Sequence, residues 1–218
     1  MKKYQIILIS VFGALVLLII IGRLTNALQY YSVPTKSNEP TFKTGSHFLA
    51  SNLFKPQRFD FICYRSTAPE YEKQTWFHRV CGMPGDIVEI RNGDLFINGK
   101  SSDGPLNLKK LYVIPYAIAI NLDFEDGEAI PLPGDSILAP LETIKQKDLI
   151  QKARLYIDNR EDPAIKSIYG KPWSPYNFGP YKVPANTFFV LGDNRYASMD
   201  SRYSGPVEKK NYVTTLLR

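Results

Sequence analysis

Three short polar segments hold the side chains that could perform hydrolytic chemistry. Ser37 lies in the turn-prone loop 35–41 (TKSNEPT), where its hydroxyl could act as a nucleophile beside a suitable base. His78, one of two histidines, begins segment 78–86 (HRVCGMPGD), and imidazole is the side chain most often used as such a base. Segment 192–202 (GDNRYASMDSR) is dense in charged and hydroxyl groups, which is costly unless those groups satisfy one another.

Each segment also has a plainer interpretation when it is taken alone. A serine shortly before a proline is usually turn chemistry, and a lone histidine is more often structural than catalytic. The polar block could equally be a surface turn held by Asp and Arg pairs. The functional hypothesis therefore depends on the three segments acting together, which requires elements that bring them into one site.

The N-terminal stretch predicts a membrane anchor. Residues 4–22 contain no charged side chain, and a run of that length spans a bilayer. Lys2 and Lys3 precede it, so the positive-inside tendency places the N-terminus in the cytoplasm and the following chain outside. A cleavable signal peptide is the alternative, but the run exceeds the usual apolar region and no clear A-x-A site follows it.

The rest of the chain predicts a mainly β fold of short strands separated by Gly, Pro and Asn. Asn92-Gly93 suits a type I′ turn between two short strands, and segments 58–64 and 188–191 also indicate strands. Composition changes after Gly99, so we expect an inserted smaller subdomain with a short helix near 143–153. The predicted division is 1–28 as cytoplasmic N-terminus and anchor, 29–100 and 181–218 as the two parts of the catalytic core, and 101–180 as the insert.

Composition limits the classes of partner. Lys plus Arg exceed Asp plus Glu by 27 to 21, which gives a net charge of +6 and suits an anionic lipid surface as well as nucleic acid. Because the chain has no dense basic block and no zinc-type spacing of Cys and His, we do not expect nucleic-acid binding. Cys63 and Cys81 both lie in apolar runs, and the sequence leaves open whether they form a disulfide or stay free.

The order of the segments resembles the type I signal peptidases. That family's pattern is a membrane anchor, S-x-x-P-T, a strand, K-R-x-x-G-x-P-G-D and finally G-D-N-R-x-x-S-x-D-S-R. Segment 192–202 fits the last motif at every defined position, and 79–86 fits the third. The resemblance implies a signal-peptidase-like β core with an inserted subdomain and one N-terminal transmembrane helix. It also implies a single-pass serine endopeptidase of the cell membrane, with its catalytic domain on the extracytoplasmic side.

The resemblance also implies roles for individual residues. Ser37 would be the nucleophile, and the Thr35 hydroxyl with the Ser37 N–H would stabilise the oxyanion. Ser198 corresponds to the serine that orients the base, while Asp200 and Arg202 correspond to a structural ion pair. The expected substrates are signal peptides of secretory preproteins, cut after small residues of the A-x-A kind, and the expected partners are these peptides and membrane lipid. Neither a metal nor an organic cofactor is implied.

The sequence departs from the family pattern at the base. Most bacterial members have lysine where this chain has His78, and imidazole with a pKa near 6.5 is largely neutral at pH 7 without burial. Asp200 could hold the imidazole as in a Ser-His-Asp triad, or Ser198 could orient it, and the sequence does not decide. Asn38 also replaces a common methionine. These changes leave a second hypothesis open, a catalytically inactive, membrane-anchored homologue that binds peptides.

Overall fold

The computed structural model describes residues 2–66 and 74–217. Its helices within those residues are α1 (Lys3–Leu24), α2 (Tyr116–Ala119), α3 (Lys147–Ile150), α4 (Pro163–Tyr169) and α5 (Ser201–Ser204). Helix α1 has no buried residue, and its most apolar window has a mean hydropathy of 2.8, so it is long and apolar enough to cross a membrane. The helix predicted within 143–153 is present as the single turn α3.

The described residues form fifteen strands. These are β1 (Gln29–Ser32), β2 (His47–Ser51), β3 (Phe61–Arg65), β4 (Thr75–Gly82), β5 (Ile87–Arg91), β6 (Asp94–Ile97), β7 (Lys100–Ser101), β8 (Lys109–Pro115), β9 (Ile130–Leu132), β10 (Ser136–Glu142), β11 (Arg154–Leu155), β12 (Phe178–Lys182), β13 (Thr187–Leu191), β14 (Val207–Glu208) and β15 (Tyr212–Leu216). The mainly β prediction is therefore confirmed.

The strands build three antiparallel sheets. The largest has seven strands in the order β1-β2-β15-β3-β4-β13-β14, and the other two have the orders β12-β5-β6-β7 and β11-β8-β10-β9. Central strands β3 and β13 are almost wholly buried, which explains why they read as continuous apolar runs rather than as alternating ones. Strand β4, which carries His78, is thus an inner strand of the large sheet, next to β3 and β13.

The sequence identified one turn correctly. Asn92 and Gly93 have φ angles of 49° and 80°, and they join β5 to β6. Both central residues of a type I′ turn need positive φ, which Asn and Gly tolerate best. The type I′ hairpin prediction is confirmed.

The insert has a sheet of its own. Strands β8 to β11 form the sheet β11-β8-β10-β9, which lies within the predicted range 101–180. Strand β12 begins at Phe178, inside that range, yet it pairs with β5 of the preceding segment. The boundaries of the four predicted segments therefore stay predictions.

The two cysteines are separate buried thiols. Neither Cys63 nor Cys81 is in a disulfide, and burial raises the pKa of each to about 12. They are therefore protonated at neutral pH and pack as small apolar side chains.

Candidate functional site

Ser37 lies in a 3-10 turn that is fixed from two sides. The backbone N–H of Asn194 donates to the Ser37 carbonyl at 3.0 Å, and the Asn194 side-chain amide donates to the Lys36 carbonyl at 3.1 Å. On the other side, Asn38 Nδ2 donates to the carbonyl of Phe77 at 2.5 Å. The predicted nucleophile is thus clamped between the 192–202 segment and the strand residue that precedes His78.

Gly192 permits the close approach of these segments. A Cβ atom placed on it would lie 2.2 Å from Ser198 Oγ and 2.4 Å from the Ser37 carbonyl oxygen. Both distances are shorter than any real contact, so a larger residue would push the turn or Ser198 away. The glycine is required by packing rather than by its backbone angles.

Asp193 joins all three motif segments. Arg79 donates to its two carboxylate oxygens, from Nε at 2.7 Å and from Nη2 at 2.6 Å. The Thr41 hydroxyl also donates to Asp193. A bidentate pair of this kind fixes orientation as well as distance. Residues that lie up to 152 positions apart in the sequence are therefore held in one place.

Ser37, Thr35 and His78 line one open cavity of about 310 Å³. Thr35 Oγ1 lies 3.2 Å from Ser37 Oγ, within hydrogen-bond distance. Both Ser37 and His78 are among the described residues, and no hydrogen bond joins their side chains. Catalytic hydrogen bonds are often long before substrate binds, so this geometry does not exclude proton transfer. The other lining residues are Tyr31, Ser32, Val33, Pro34, Asn38, Phe48, Cys63, Gln74, Thr75, Trp76, Phe77 and Met199.

His78 lies in the middle of β4, opposite Ile62 of β3. Its side chain is buried, with only 4% of the residue exposed. Burial lowers the pKa of His78 to about 4, while the negative charge of Asp200 opposes that shift. The imidazole is therefore neutral at physiological pH because it is desolvated, and not merely because of its ordinary pKa.

Tyr64 is the direct polar neighbour of the imidazole. Its hydroxyl lies 2.8 Å from His78 Nδ1, and both side chains are buried. Burial, with the charge of Asp200 adding to it, raises the pKa of Tyr64, so the phenol stays protonated. In the sequence, segment 58–64 indicates only a strand and gives no sign of this contact. Only the register, which pairs Ile62 with His78 and so puts Tyr64 two residues along β3, would have revealed it.

Asp200 lies near the imidazole but is occupied by other donors. Its oxygens accept from the Gly192 N–H at 3.0 Å and from Arg202 Nε and Nη2, both at 2.9 Å. Burial by itself raises the pKa of Asp200, but Arg202 lowers it overall, so the group is a carboxylate. The ion pair expected from the sequence is present. No hydrogen bond joins Asp200 to His78 in the described residues, and its effect on the imidazole is electrostatic.

Ser198 is also near the site without a hydrogen bond to the imidazole. It is buried beside Gly192, and its Oγ has no hydrogen-bond partner in the described part of the chain. The Oδ1 atom of Asn38 is buried and unpartnered in the same way. The orienting roles of Ser198 and Asp200 therefore stay predictions. Across 2–66 and 74–217, no group of three or more His, Cys, Asp or Glu side chains is arranged to hold a metal.

The insert reaches the nucleophile loop through charged side chains that the sequence did not single out. Lys36, next to Ser37, pairs with Glu125 and lies 3.6 Å from Glu128. Glu128 also pairs with Lys109 at 2.8 Å. The turn 36–38 is thus bordered by the insert as well as by the core.

The sequence of the chain matches a known family along nearly its whole length. The profile of the family described as signal peptidase, peptidase S26, matches residues 5–217. Signal peptidase I V of Bacillus subtilis is 27% identical over 84% of this chain and 80% of its own length. Signal peptidase IB of Staphylococcus aureus is 27% identical over 94% of this chain and 83% of its own length.

A solved structure is also similar. The crystal structure of a signal peptidase I from Enterococcus faecalis V583 covers 75% of this chain and 98% of its own, at 25% identity and a TM-score of 0.39. At that TM-score the likeness of the two folds is loose.

Proposed function

The chain belongs to the signal peptidase family S26, a family of serine peptidases, and we propose that it cleaves signal peptides from exported preproteins as a membrane-bound endopeptidase with a Ser/His mechanism. One observation supports the Ser/His mechanism. Ser37, Thr35 and His78, which come from two distant motifs, line the same cavity.

In the proposed reaction, Ser37 Oγ attacks the scissile carbonyl carbon while His78 takes its proton. The tetrahedral intermediate then collapses, the C–N bond breaks, and the imidazolium returns the proton to the leaving amine. The processed chain leaves with that amine, and the signal peptide remains as an ester on Ser37. Water then repeats the sequence on this acyl-enzyme, with His78 again as the base, and releases the signal peptide as a carboxylic acid. Asp200 supports these steps because its negative charge favours the imidazolium that forms in each of them.

We propose the Thr35 hydroxyl and the Ser37 backbone N–H as donors to the oxyanion. The 3.2 Å separation of Thr35 Oγ1 and Ser37 Oγ supports this, because it places a donor beside the atom that attacks. Donors aimed at charge that develops only in the transition state raise kcat rather than substrate affinity.

The substrate is proposed to bind as an added strand. Strand β1 is at the edge of the large sheet, and two of its residues, Tyr31 and Ser32, line the cavity. An extended peptide can pair with such an edge and place alternate side chains into pockets. Val33, Phe48 and Phe77 give the cavity apolar walls, which suit the small residues of an A-x-A site.

We propose that α1 anchors the catalytic domain at the outer face of the membrane. The end of α1 is tied to the domain, since the N–H and the side-chain amide of Asn52 donate to the carbonyls of Asn26 and Thr25 at 3.1 and 2.7 Å. Leu53 and Phe54 are exposed next to this joint, as expected for side chains that rest on lipid. Protease added outside sealed cells should digest the domain and spare the N-terminus.

The test is cleavage of a preprotein with an A-x-A site by the full chain in detergent. Ser37→Ala should lose at least about 10⁴-fold in rate and His78→Ala about 10²- to 10⁴-fold, with unchanged circular dichroism and melting temperature. Matched controls are Ser46→Ala and His47→Ala, because both side chains lie outside the cavity and should leave the rate unchanged. Cleavage retained by Ser37→Ala would reject the proposal.

Peptide binding without cleavage is the competing function. The absence of a hydrogen bond between Ser37 and His78, both within the described residues, favours it. It predicts that wild type, Ser37→Ala and His78→Ala bind an A-x-A peptide equally and that none of them cuts it. Cleavage by wild type that depends on Ser37 would rule it out.

A further inference from the structure

The imidazole of His78 has two ring nitrogens with different surroundings. Nδ1 lies 2.8 Å from the Tyr64 hydroxyl, and the two rings are 5.9 Å apart with a tilt of 40°. Nε2 has no hydrogen-bond partner within 2–66 and 74–217. Because His78 lines the cavity with Ser37, Nε2 is the nitrogen left for the substrate side of the ring.

The groups that the sequence suggested for holding the ring, Asp200 and Ser198, form no hydrogen bond with Nδ1 in the described residues. Both oxygens of Asp200 are engaged by Gly192 and Arg202. Ser198 Oγ has no hydrogen-bond partner among the described residues. Tyr64 is therefore the side chain in a position to decide which ring nitrogen carries the proton of the neutral imidazole.

We propose that Tyr64 is the positioning residue of this site: its hydroxyl oxygen accepts a hydrogen bond from His78 Nδ1–H and so leaves Nε2 bare to take the proton of Ser37. This inference rests on the proposed function, because only a base at Nε2 requires that tautomer. The opposite arrangement, in which Tyr64 donates to Nδ1, would put the proton on Nε2 and leave no base facing the cavity.

The hydroxyl is suited to this task. Burial and the nearby carboxylate of Asp200 keep the phenol protonated, so its oxygen remains a neutral acceptor throughout the working range of pH. A neutral acceptor stabilises the imidazolium less than a carboxylate would. The Tyr64 oxygen can therefore fix the orientation of the ring and still allow His78 to release the proton that it takes from Ser37. The long-range charge of Asp200 and the short contact with Tyr64 thus have separate effects on one side chain.

The first experiment compares Tyr64→Phe with wild type, using the full chain in detergent and an A-x-A preprotein. We expect kcat to fall roughly 10- to 100-fold with KM changed by less than about twofold, as for a lost hydrogen bond to a group that becomes charged. Tyr212→Phe is the matched control, because it removes a hydrogen-bonded hydroxyl from a neighbouring strand at a position that does not line the cavity. An unchanged kcat in Tyr64→Phe would overturn the proposal.

The pH profile separates positioning from mere packing. The charged groups that shift the pKa of His78 are Asp200, Arg202 and Asp193, and Tyr64→Phe leaves all three in place. Nδ1–H donates a stronger hydrogen bond when the ring is an imidazolium, so an accepting Tyr64 oxygen raises the pKa of His78. Loss of that oxygen should therefore move the acid limb of kcat/KM to lower pH. Movement of that limb to higher pH would mean that Tyr64 donates, which contradicts the proposal.

Nitrogen NMR of histidine-labelled protein gives a measurement that does not need cleavage. The chain has two histidines, so His47→Ala leaves His78 as the single signal. We expect the Nδ1–H tautomer in this protein and a mixture of tautomers once Tyr64→Phe is added. The Nε2–H tautomer, or a tautomer unchanged by Tyr64→Phe, would overturn the proposal. If wild type fails to cleave, the proposed function fails, and the NMR result still decides the role of Tyr64.

Discussion

Two buried polar clusters of this protein differ in whether their oxygen atoms are paired. The insert anchor, formed by Asp103, Arg195 and Lys110, has a carboxylate that receives two bonds from Arg195 at 2.9 and 2.7 Å and one from Lys110 at 3.1 Å. The cavity wall, formed by Ser37, Asn38 and His78, and the nearby Ser198 together contain two buried oxygens without a partner among the described residues.

The difference in pairing indicates a structural role for the insert anchor and a role in binding and reaction for the cavity wall. Buried polar atoms are normally hydrogen-bonded, so unpaired ones mark places where something else is expected to bind. Of four such atoms in the described chain, Asn38 Oδ1, Asn194 Oδ1 and Ser198 Oγ surround the Ser37 turn, and the fourth is Arg195 Nε. We infer that the anchor sets the position of the 192–202 segment, while the cavity wall keeps its hydrogen-bonding capacity for substrate.

Breaking the anchor should have the largest effect on stability. Arg195→Met leaves Asp103 buried without its main partner, which should lower the free energy of unfolding by about 3–5 kcal/mol. Chemical denaturation of the full chain in detergent measures this. Arg160→Met is the matched control, since its pair with Asp158 is exposed, and its melting temperature should hardly change. Equal effects of the two substitutions would contradict the distinction between the anchor and a surface pair.

Removing a donor from the cavity should affect rate instead of stability. Thr35→Val keeps the shape and deletes the hydroxyl, so kcat should fall about 10²- to 10³-fold while the melting temperature stays within about 2 °C. Thr44→Val serves as the control, because that hydroxyl contacts Glu39 outside the cavity. If Thr35→Val changed KM alone, Thr35 would be a binding residue and not an oxyanion donor.

The two clusters should lose stability in different ranges of acid pH. Burial of Asp103 raises its pKa, but Arg195 and Lys110 bring it to about 2, so the anchor loses its contribution to stability as pH falls through the ordinary carboxyl range toward 2. His78 has a folded pKa of about 4, below its unfolded value, so the unfolded state binds more protons as pH falls from about 6.5. This should remove about 3 kcal/mol of stability by pH 4.

Denaturation at pH 7 and at pH 4.5 tests this sign. His78→Gln has no titrating ring, so its loss of stability between the two pH values should be smaller than that of wild type. His47→Gln should behave like wild type, because His47 is exposed. Identical pH dependence in wild type and His78→Gln would show that the imidazole is not held neutral by burial.

Ser198→Ala should have the smallest effect on stability. Its hydroxyl has no partner in the described residues, so its removal should change the free energy of unfolding by less than about 1 kcal/mol. A clear loss of cleavage rate with unchanged stability would assign Ser198 to the reaction. A loss of stability without a change in rate would place it with the anchor.

Local sequence signals were sufficient for some elements. The Asn92-Gly93 turn and the apolar run of α1 depend on neighbouring residues, and both were predicted correctly. The last motif also placed Asp200 beside Arg202, because a pair two residues apart is a local feature. These are the parts of the molecule that do not depend on strand register.

Other features required contacts that no local signal encodes. The partner of His78 is 14 residues away on an adjacent strand, and its identity depends on the pairing of Ile62 with His78. The burial that lowers the pKa of His78 arises from packing of whole sheets. The contact between Lys36 and Glu125 joins residues 89 positions apart through the insert. Long-range register and burial therefore set the chemistry that motif spacing only suggests.

The pH dependence of kcat/KM, compared between wild type and His78→Lys, tests most directly whether a buried neutral imidazole activates Ser37. Wild type should keep a level rate from about pH 8 to 5.5 and lose half of it near pH 4, with folding verified at each pH by circular dichroism. If His78→Lys retains activity, the acid limb of its kcat/KM profile should lie several pH units higher than that of wild type, because lysine is a much stronger base. A wild-type limb above about pH 7, or the same limb in both proteins, would contradict the assignment of His78 as the base.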